Sequence, residues 1–338
     1  MKEVASIARD HGRVFTVHRI IESRLPYLIA FIVVIMTIFG FISPYFLVPS
    51  NFLYMFKYAG ILGLLGFAET FVILAGGGGI DLSVGSMLSL SGVLLYFMNT
   101  KMNVWLASAL TLPIGMTLGA VNGLLCAVAG IPPFIGTLAT MFAYAGVSLG
   151  ITKGIALSGF PREFAILGEG LLGNIPIQFL FLIAAFIPLG FMLRQTAFGR
   201  HIIAVGDNEQ AARLLGISPK RIRFSLYVLS GALAALGAIL MDSWLLTARP
   251  DAGAGYELRA IAIAVLGGTD IFGGSGTLSG TFLATITVVM IQMGLQQLNV
   301  NPVWQLGIIG GLLISVAVLN QIVTVRRPRQ AEKEVDKK

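Results

Sequence analysis

Charged side chains are scarce in this sequence. Of its 338 residues, 12% are Asp, Glu, Lys or Arg, whereas an ordinary soluble domain has about 25%. Residues 104–152 contain none, and residues 27–59 contain only Lys57. A membrane-spanning helix needs about 20 consecutive apolar residues, and the sequence offers room for several. The shortage of charge therefore excludes an ordinary soluble domain and predicts a polytopic membrane protein.

Cysteine and histidine are also rare. The single cysteine, Cys126, lies in an apolar stretch, so we expect a small buried core residue rather than a disulfide or a metal ligand. The three histidines, His11, His18 and His201, fall in segments that we predict to lie outside the membrane. This excludes a serine–histidine pair within the membrane, and no H-E-x-x-H zinc motif occurs. We expect no catalytic residue and no metal site.

A nucleotide-binding pattern is absent as well. The phosphate-loop sequence G-x-x-x-x-G-K-[S/T] does not occur, so this chain cannot hydrolyse ATP by that route. Any energy that this chain needs would have to come from a partner protein or from an ion gradient.

Apolar segments recur along the chain. They predict an all-α fold, a polytopic membrane helical bundle of about ten transmembrane spans with broken helices, over residues 27–322. The predicted spans are 27–47, 56–75, 84–99, 104–129, 133–152, 174–193, 224–243, 260–272, 278–298 and 303–322. The span at 260–272 is too short to cross a bilayer as a helix unless it is extended or meets a broken segment.

Basic residues indicate the orientation of the bundle. The lead-in at 1–26 contains five Lys or Arg and lacks the apolar run of a cleavable signal, while the loop at 194–223 and the tail at 323–338 contain six each. An even number of spans places all three on one face, and cytoplasmic segments retain positive charge. Both termini and the loop are therefore predicted to be cytoplasmic. The net charge of +7 follows from this bias in a lipid-embedded protein and does not call for a nucleic-acid partner.

One glycine-rich motif occurs twice. The pattern G-G-x-D-[L/I]-x-x-G-S fits both Gly78–Ser86 and Gly267–Ser275. Broken helices in corresponding parts of two halves point to a translocation path, and the alternative is a pair of tight turns whose aspartates cap the next helix. The candidate path or gate residues are Gly79, Asp81, Ser83, Gly85, Gly268, Asp270 and Gly274.

Other polar residues within apolar stretches are further candidates. Glu69 is an intramembrane carboxylate, which is a functional hypothesis by default because burying it without a partner is costly. It lines the solute path, pairs with a neighbouring helix, or is protonated and structural. Speculative lining residues are Asn122, Ser89, Ser91, Gln292, Gln296 and Gln297. Three glycines spaced by four, Gly115, Gly119 and Gly123, predict close helix packing.

The loop at 194–223 contains the pattern of a short helix. Asp207 or Asn208 can cap its start, Glu209 falls in the first turn, and Gly216 ends it before Pro219. This predicts about two helical turns lying across the cytoplasmic face. Such a helix either contacts another protein or rests on lipid headgroups through its basic residues.

Three motifs, taken together, resemble a known family. They are Gly79–Ser86, then Gly199–Gly206 with Asn208–Glu209, Ala211–Ala212 and Gly216–Ile217, and finally Ala264–Thr269 with Gly273–Gly276 and Gly280–Thr281. In this order they resemble the permease subunits of ribose-, xylose- and arabinose-type ABC importers, a family that includes autoinducer-2 importer permeases. The resemblance covers roughly residues 45–320. The run of four glycines at Gly76–Gly79 departs from the family pattern, which has a shorter turn there.

The resemblance implies an assembly and roles for individual residues. It implies two permease chains, identical or related, two cytoplasmic ATPase subunits that hold ATP and Mg²⁺, and an extracytoplasmic binding protein that delivers a small sugar-like solute across a bacterial inner membrane. The implied coupling helix would dock on the ATPase through Asn208, Glu209, Ala211, Ala212, Arg213, Leu215, Gly216 and Ile217. Ala212, Leu215 and Ile217 would supply apolar contact. Glu209 and Arg213 would fix the position of the helix through polar contacts.

Two arginines in predicted external loops are candidates for docking the binding protein. They are Arg162, in the loop at 153–173, and Arg249, in the loop at 244–259. An ion-coupled secondary transporter is the alternative function. In that case Glu69, Asp81 and Asp270 would be the sites of the coupling ion.

Overall fold

The computed structural model describes residues 25–301 and residues 304, 305, 307, 308, 310, 311 and 314. Within these residues the fold is a helical bundle. Its helices are α1 (Leu25–Ile42), α2 (Pro49–Leu74), α3 (Val84–Asn99), α4 (Val104–Gly123), α5 (Pro133–Thr152), α6 (Ile177–Gln195), α7 (Ala197–Asp207), α8 (Glu209–Leu214), α9 (Pro219–Leu245), α10 (Tyr256–Leu266) and α11 (Leu278–Gln297). A π-helical turn, Leu124–Val128, extends α4, and short helical turns occupy Arg162–Ala165 and Ile166–Glu169.

Each of the first nine predicted spans contains a helix. Seven helices in the described part of the chain are long and apolar enough to cross a membrane, counting α4 with its π-helical extension. The other two predicted spans contain shorter helices, α3 with 16 residues and α10 with 11. Most of the tenth predicted span, 303–322, lies outside the described residues, as do the tail and nearly all of the lead-in. The count of ten spans and the orientation stay predictions.

Helix ends differ from the predicted bounds where proline sets them. Helix α2 begins at Pro49 rather than at residue 56, and α9 begins at Pro219 rather than at residue 224. Proline suits the first helical turn because its missing N–H would have no partner there. No helix was predicted at 197–207. Helix α7 forms there, and Thr196 caps it by accepting from the Gly199 N–H.

The predicted short span is a half-length helix. Helix α10 covers about 16 Å at 1.5 Å per residue, against a hydrocarbon core of about 30 Å. The segment before it returns into the bundle, because the Gly253 N–H donates to Ser89 Oγ at 2.9 Å and Gly253 packs directly on the backbone of Gly85. The prediction of a broken segment at this point is confirmed.

The predicted glycine ridge lies in a close contact between α4 and α9. A Cβ on Gly115 or Gly119 would collide with the backbone of Gly231 or Tyr227 in α9, and one on Gly123 would meet Phe224. Small residues allow this approach where no hydrophobic effect drives helices together. Helix α2 lies at the centre, with every residue from Tyr58 to Leu74 buried.

The two ends of the bundle differ in character. At one end, called the ribbon end, strand β1 (Leu157–Ser158) pairs antiparallel with β4 (Thr247–Ala248), and β2 (Leu171–Leu172) pairs with β3 (Ile175–Pro176). At the other end, called the basic end, the turns at 75–83 and 267–277 meet the segment 196–223, which carries most of the basic residues of the described loops.

Candidate functional site

A buried hydrogen-bond network surrounds Asp81. The Asp81 N–H donates to Glu69 Oε1 at 3.1 Å, which links the first glycine motif to α2. Asp81 Oδ1 accepts from Ser83 Oγ at 2.7 Å and from the Ser83 N–H at 3.1 Å. Asn122 Nδ2 donates to the same oxygen at 3.3 Å, and Ser230 Oγ donates to Oδ2 at 2.7 Å. All five residues have no exposed surface.

This network joins elements that are distant in sequence. Glu69 belongs to α2, Asn122 to α4 and Ser230 to α9, while Asp81 and Ser83 lie in the turn before α3. The local turn expected for the aspartate is present, since Asp81 accepts from the N–H two residues later. With these additional donors, both carboxylate oxygens of Asp81 accept hydrogen bonds from groups of the protein. The arrangement therefore fixes the turn against three helices.

The four-glycine run makes the turn possible. Gly76, Gly77 and Gly78 have successive φ values of 64°, 67° and 70°, a left-handed conformation that side chains with a Cβ rarely adopt. Gly79 is required by space instead, because a Cβ there would lie 2.5 Å from the carbonyl oxygen of Val72.

The second glycine motif contacts the first, but its aspartate does not join the network. The Gly274 N–H donates to the Leu74 carbonyl at 3.0 Å, and Gly273 packs on the backbone of Gly76. Asp270 is partly exposed and accepts from the Phe272 N–H at 2.9 Å, which is a local turn bond. The structure thus brings the two loops together and gives their aspartates different surroundings.

Remaining members of the motifs serve the local backbone. Gly268 has φ +92° and ends α10, and Gly85 allows the approach of Gly253 at the first turn of α3. Among the speculative lining residues, Asn122 belongs to the Asp81 network, Ser89 holds Gly253, and Gln292 contacts Tyr58.

The predicted short helix forms as α8. Asn208 is its N-cap, with the side chain accepting from the Ala211 N–H at 2.9 Å, and Gly216 ends it at φ +79°. Leu214 and Leu215 are 90% and 78% exposed, so they form an apolar surface at the basic end. Large apolar side chains exposed side by side are typical of a contact surface.

One predicted contact residue needs correction. Ala212 is 2% exposed and packs into the core of this chain, and Ile217 also packs against that core. Ala212 therefore does not offer the free apolar surface that was expected for a partner, whereas Ile217 keeps part of its surface exposed. Leu214, which the sequence analysis did not select, is the most exposed apolar residue of α8.

Glu209 ties α8 to the start of α9. It forms ion pairs with Arg213 in its own helix and with Arg223 at 2.7 Å. Burial of the carboxylate opposes ionisation, but hydrogen bonds and charge from Arg223 and Arg213 outweigh it and hold the pKa of Glu209 below its usual range. The carboxylate is therefore ionised at neutral pH and the pairs persist.

Arg223 is the functional candidate that the sequence analysis missed. Its Nε donates to the Ala75 carbonyl at 3.2 Å, at the start of the glycine turn, while its Nη2 pairs with Glu209. Arg223 lies seven residues before Ser230 in α9, and this spacing is two helical turns on one face. One helix face thus contacts both α8 and the Asp81 network. The available signal was a basic residue just inside a predicted loop boundary.

A cavity of about 430 Å³ opens beside this contact. Its lining includes Arg213, Lys220, Arg223 and Glu209 together with Gly77 of the glycine turn. Lys220 Nζ donates to the Val128 carbonyl at 3.2 Å, at the end of α4. The basic end is therefore a polar surface on which α8, the glycine turn and the end of α4 meet.

The two docking candidates lie at the ribbon end. Arg162 begins a short helical turn, and Arg249 pairs with Asp251 at 3.1 Å, with both side chains more than half exposed. The β1–β4 pairing brings the two loops that carry them together. Arg249 and Asp251 also line a cavity of about 490 Å³.

Comparison with known proteins identifies relatives along nearly the whole chain. Residues 51–317 match the family described as "Branched-chain amino acid transport system / permease component". The ribose import permease protein RbsC of Bacillus subtilis is 40% identical over 297 residues, which are 87% of this chain and 91% of that protein. No solved structure matches the chain significantly.

Further relatives have different printed substrates. The D-allose transport system permease protein AlsC of Escherichia coli is 34% identical over 86% of this chain and 90% of its own. The autoinducer 2 import system permease protein LsrD of Klebsiella pneumoniae is 33% identical over 89% of this chain and 92% of its own. Together with the apolar helices, these matches show a multi-pass membrane transport protein. The chain belongs to the family of branched-chain amino acid transport system permease components, within which it is similar to ribose, allose and autoinducer-2 import permeases.

Proposed function

We propose that this chain is the transmembrane permease subunit of an ATP-binding-cassette importer for a monosaccharide or a similar small polar solute. It would work as one of two permease chains, with two ATPase subunits at the basic end and a binding protein at the ribbon end, in the inner membrane of a bacterium. The names of its relatives support this class of solute. ATP and Mg²⁺ would belong to the ATPase subunits.

The observation that carries the proposal is the exposed surface of α8 and its connection to the bundle. Leu214 and Leu215 present apolar area at the basic end. Glu209 joins the same helix to Arg223, which in turn holds the Ala75 carbonyl at the start of the glycine turn. A partner that moves α8 would therefore act directly on the turn and on α9. This is the arrangement that a coupling helix requires.

The second glycine loop, at 267–277, also contacts both the segment that leads into α8 and the first glycine turn, at 75–83. A Cβ on Gly206, in α7, would collide with the Leu74 carbonyl and with the backbone of Gly274. Asp207, which precedes α8, packs on Gly274. Because the contact is between backbones, α7, α2 and the second loop cannot shift independently without opening it. We infer that the Asp81 network and both glycine loops form the gate region at the basic end.

Binding of the ATPase subunits to this chain tests the assignment. Replacing Leu214 with Asp, in chain reconstituted in nanodiscs, is expected to weaken binding of the ATPase subunits by at least about tenfold, since a buried apolar contact becomes a buried charge. Leu172→Asp is the matched control, because Leu172 is 69% exposed at the ribbon end. Equal binding by both variants would contradict the coupling assignment.

A further inference from the structure

A second polar cluster lies inside the bundle, toward the ribbon end. Arg259 Nη1 donates to Tyr58 Oη at 2.8 Å, and Gln292 Nε2 donates to the same oxygen at 3.3 Å. The Arg259 guanidinium lies over the ring of Tyr256 at 5.1 Å. The rings of Tyr58 and Tyr256 meet edge to face with centroids 6.0 Å apart. Helices α2, α10 and α11 each contribute to the cluster.

The helices place this cluster below the surface of the membrane-spanning bundle. Tyr58 lies nine residues after the start of α2, which is about 14 Å along the helix. Gln292 lies five residues before the end of α11, which is about 8 Å. Arg259 is in the first turn of the half-length helix α10, directly after the segment that returns into the bundle. The cluster therefore lies within the length of both long helices and next to the break before α10.

No ion pair with another described residue neutralises Arg259. Its Nε is buried without a hydrogen-bond partner among those residues. The buried Oε1 of Gln292 has no partner there either. Buried polar groups in native proteins normally have partners, and a cation inside a membrane faces the bundle interior or a water-filled cavity rather than lipid. By this rule the partly exposed side of Arg259 is expected to face a water-filled path rather than lipid.

The polar groups without hydrogen-bond partners indicate which kind of solute would bind here. The cluster offers spare donors on Arg259, a spare acceptor on Gln292 and two aromatic rings. Glu257, two residues before Arg259, accepts from the Gly255 N–H, and its charge interacts favourably with that of Arg259. A neutral solute with several hydroxyl groups supplies both donors and acceptors, and its C–H faces suit aromatic rings. A simple anion would satisfy the arginine but not the carbonyl oxygen of Gln292.

We propose that Arg259, Tyr58 and Gln292 form a hydroxyl-binding station for a neutral polyhydroxylated solute within the translocation path. This inference rests on the proposed function and adds a solute-contacting site to it. The station lies at the point where the chain re-enters the bundle, on the ribbon-end side of the Asp81 network. The solute would meet it before reaching the gate region at the basic end.

The test compares sugars that differ by single hydroxyl groups. The complete complex, with ATPase and binding protein, is reconstituted in proteoliposomes, and ATP-driven uptake of D-ribose is measured beside its 2-deoxy, 3-deoxy and 5-deoxy analogues. Tyr58→Phe and Arg259→Gln are the test variants. Tyr54→Phe, one turn earlier in α2 with an exposed ring, and Lys101→Gln, exposed at the ribbon end, are the controls. Selectivity due to the binding protein is the same in every variant and cancels in the comparison.

The expected result is a change of about threefold or more in at least one uptake ratio between ribose and a deoxy analogue, in both test variants and in neither control. Unchanged ratios would overturn the proposal even if the absolute rate fell, because a merely structural role lowers uptake of all four sugars alike. Dissociation of the permease pair by Arg259→Gln, measured by size-exclusion chromatography, would also overturn it and assign the cluster to a subunit contact. Absence of ATP-driven uptake of every sugar in a panel of monosaccharides by the wild-type complex would instead contradict the proposed function on which the inference rests.

Discussion

Replacing Asp81 with Ala removes the acceptor at the centre of the buried network. The Ser83 N–H, Ser83 Oγ and Ser230 Oγ would each lose an acceptor, in a region without exposed surface. In soluble proteins each unpaired buried donor lowers the free energy of unfolding by about 1–3 kcal/mol, so three of them would be strongly destabilising. Hydrogen bonds measured in membrane proteins average only about 0.6 kcal/mol. We therefore expect a loss of about 2–5 kcal/mol in the free energy of unfolding.

The assay is reversible unfolding of the purified chain in mixed micelles, followed by tryptophan fluorescence or circular dichroism. Asp81→Asn is the matched comparison, because it keeps the volume and one acceptor oxygen and should cost about 1 kcal/mol. Asp270→Ala provides the second comparison, since Asp270 is partly exposed and makes only a local turn bond among the described residues. A loss below about 1 kcal/mol for Asp81→Ala, or an equal loss for both aspartates, would refute the account of the network.

Three other predictions concern helix packing and the two ends of the bundle. Gly119→Ala should destabilise the chain by about 1–3 kcal/mol because its Cβ would collide with α9. Gly146→Ala should be neutral because, among the described residues, no atom of another segment lies within 4 Å of the added Cβ; chemical unfolding measures both. Arg223→Glu places two carboxylates together and should raise the number of ATP molecules hydrolysed per solute several-fold, and the added exchange Glu209→Arg should restore much of the coupling; failure of the exchange would contradict a direct ion pair. Arg249→Glu should slow association of the binding protein several-fold at low salt and have little effect at high salt. Surface plasmon resonance measures the association rate, and equal rates for the variant and the wild type at low salt would contradict docking at this loop.

Acid should loosen the contact between α8 and α9. The pKa of Glu209 is lowered in the folded chain, so the stabilisation is complete above the usual pKa of a glutamate and is lost as the pH falls through the lowered value. The contact between α8 and α9 is therefore intact at neutral pH. Because the Glu209 side chain is 31% exposed, solvent screening keeps the contribution small.

Elements with a local signal could be predicted from the sequence. Long apolar runs gave nine helix positions, and the length of the run at 260–272 indicated the half-helix α10. The cap of α8, expected at Asp207 or Asn208, and its end at Gly216 were predicted from residue types whose side-chain and backbone preferences act within four residues. The Gly115–Gly119–Gly123 spacing predicted close packing, although not that α9 would be the partner.

Contacts between distant segments could not be predicted in this way. The Glu69–Asp81–Ser230 network joins residues separated by up to 161 positions, and the bond from Gly274 to Leu74 joins the two glycine loops. Periodicity shows which residues are apolar but not which helices are neighbours, because lipid-facing and core-facing positions are both apolar in a membrane protein. The same limit explains why Ala212 was taken for a surface residue and Arg223 was missed.

The most direct test of the central claim is uptake of radiolabelled D-ribose into proteoliposomes. The chain is reconstituted with its binding protein, with and without the ATPase subunits, and ATP is supplied on the side of the basic end. The account predicts ATP-dependent uptake only when the ATPase is present, unaffected by an ionophore. Uptake by the chain without ATPase, abolished by an ionophore, would contradict it and show an ion-coupled transporter, with Glu69, Asp81 and Asp270 as the residues to replace first.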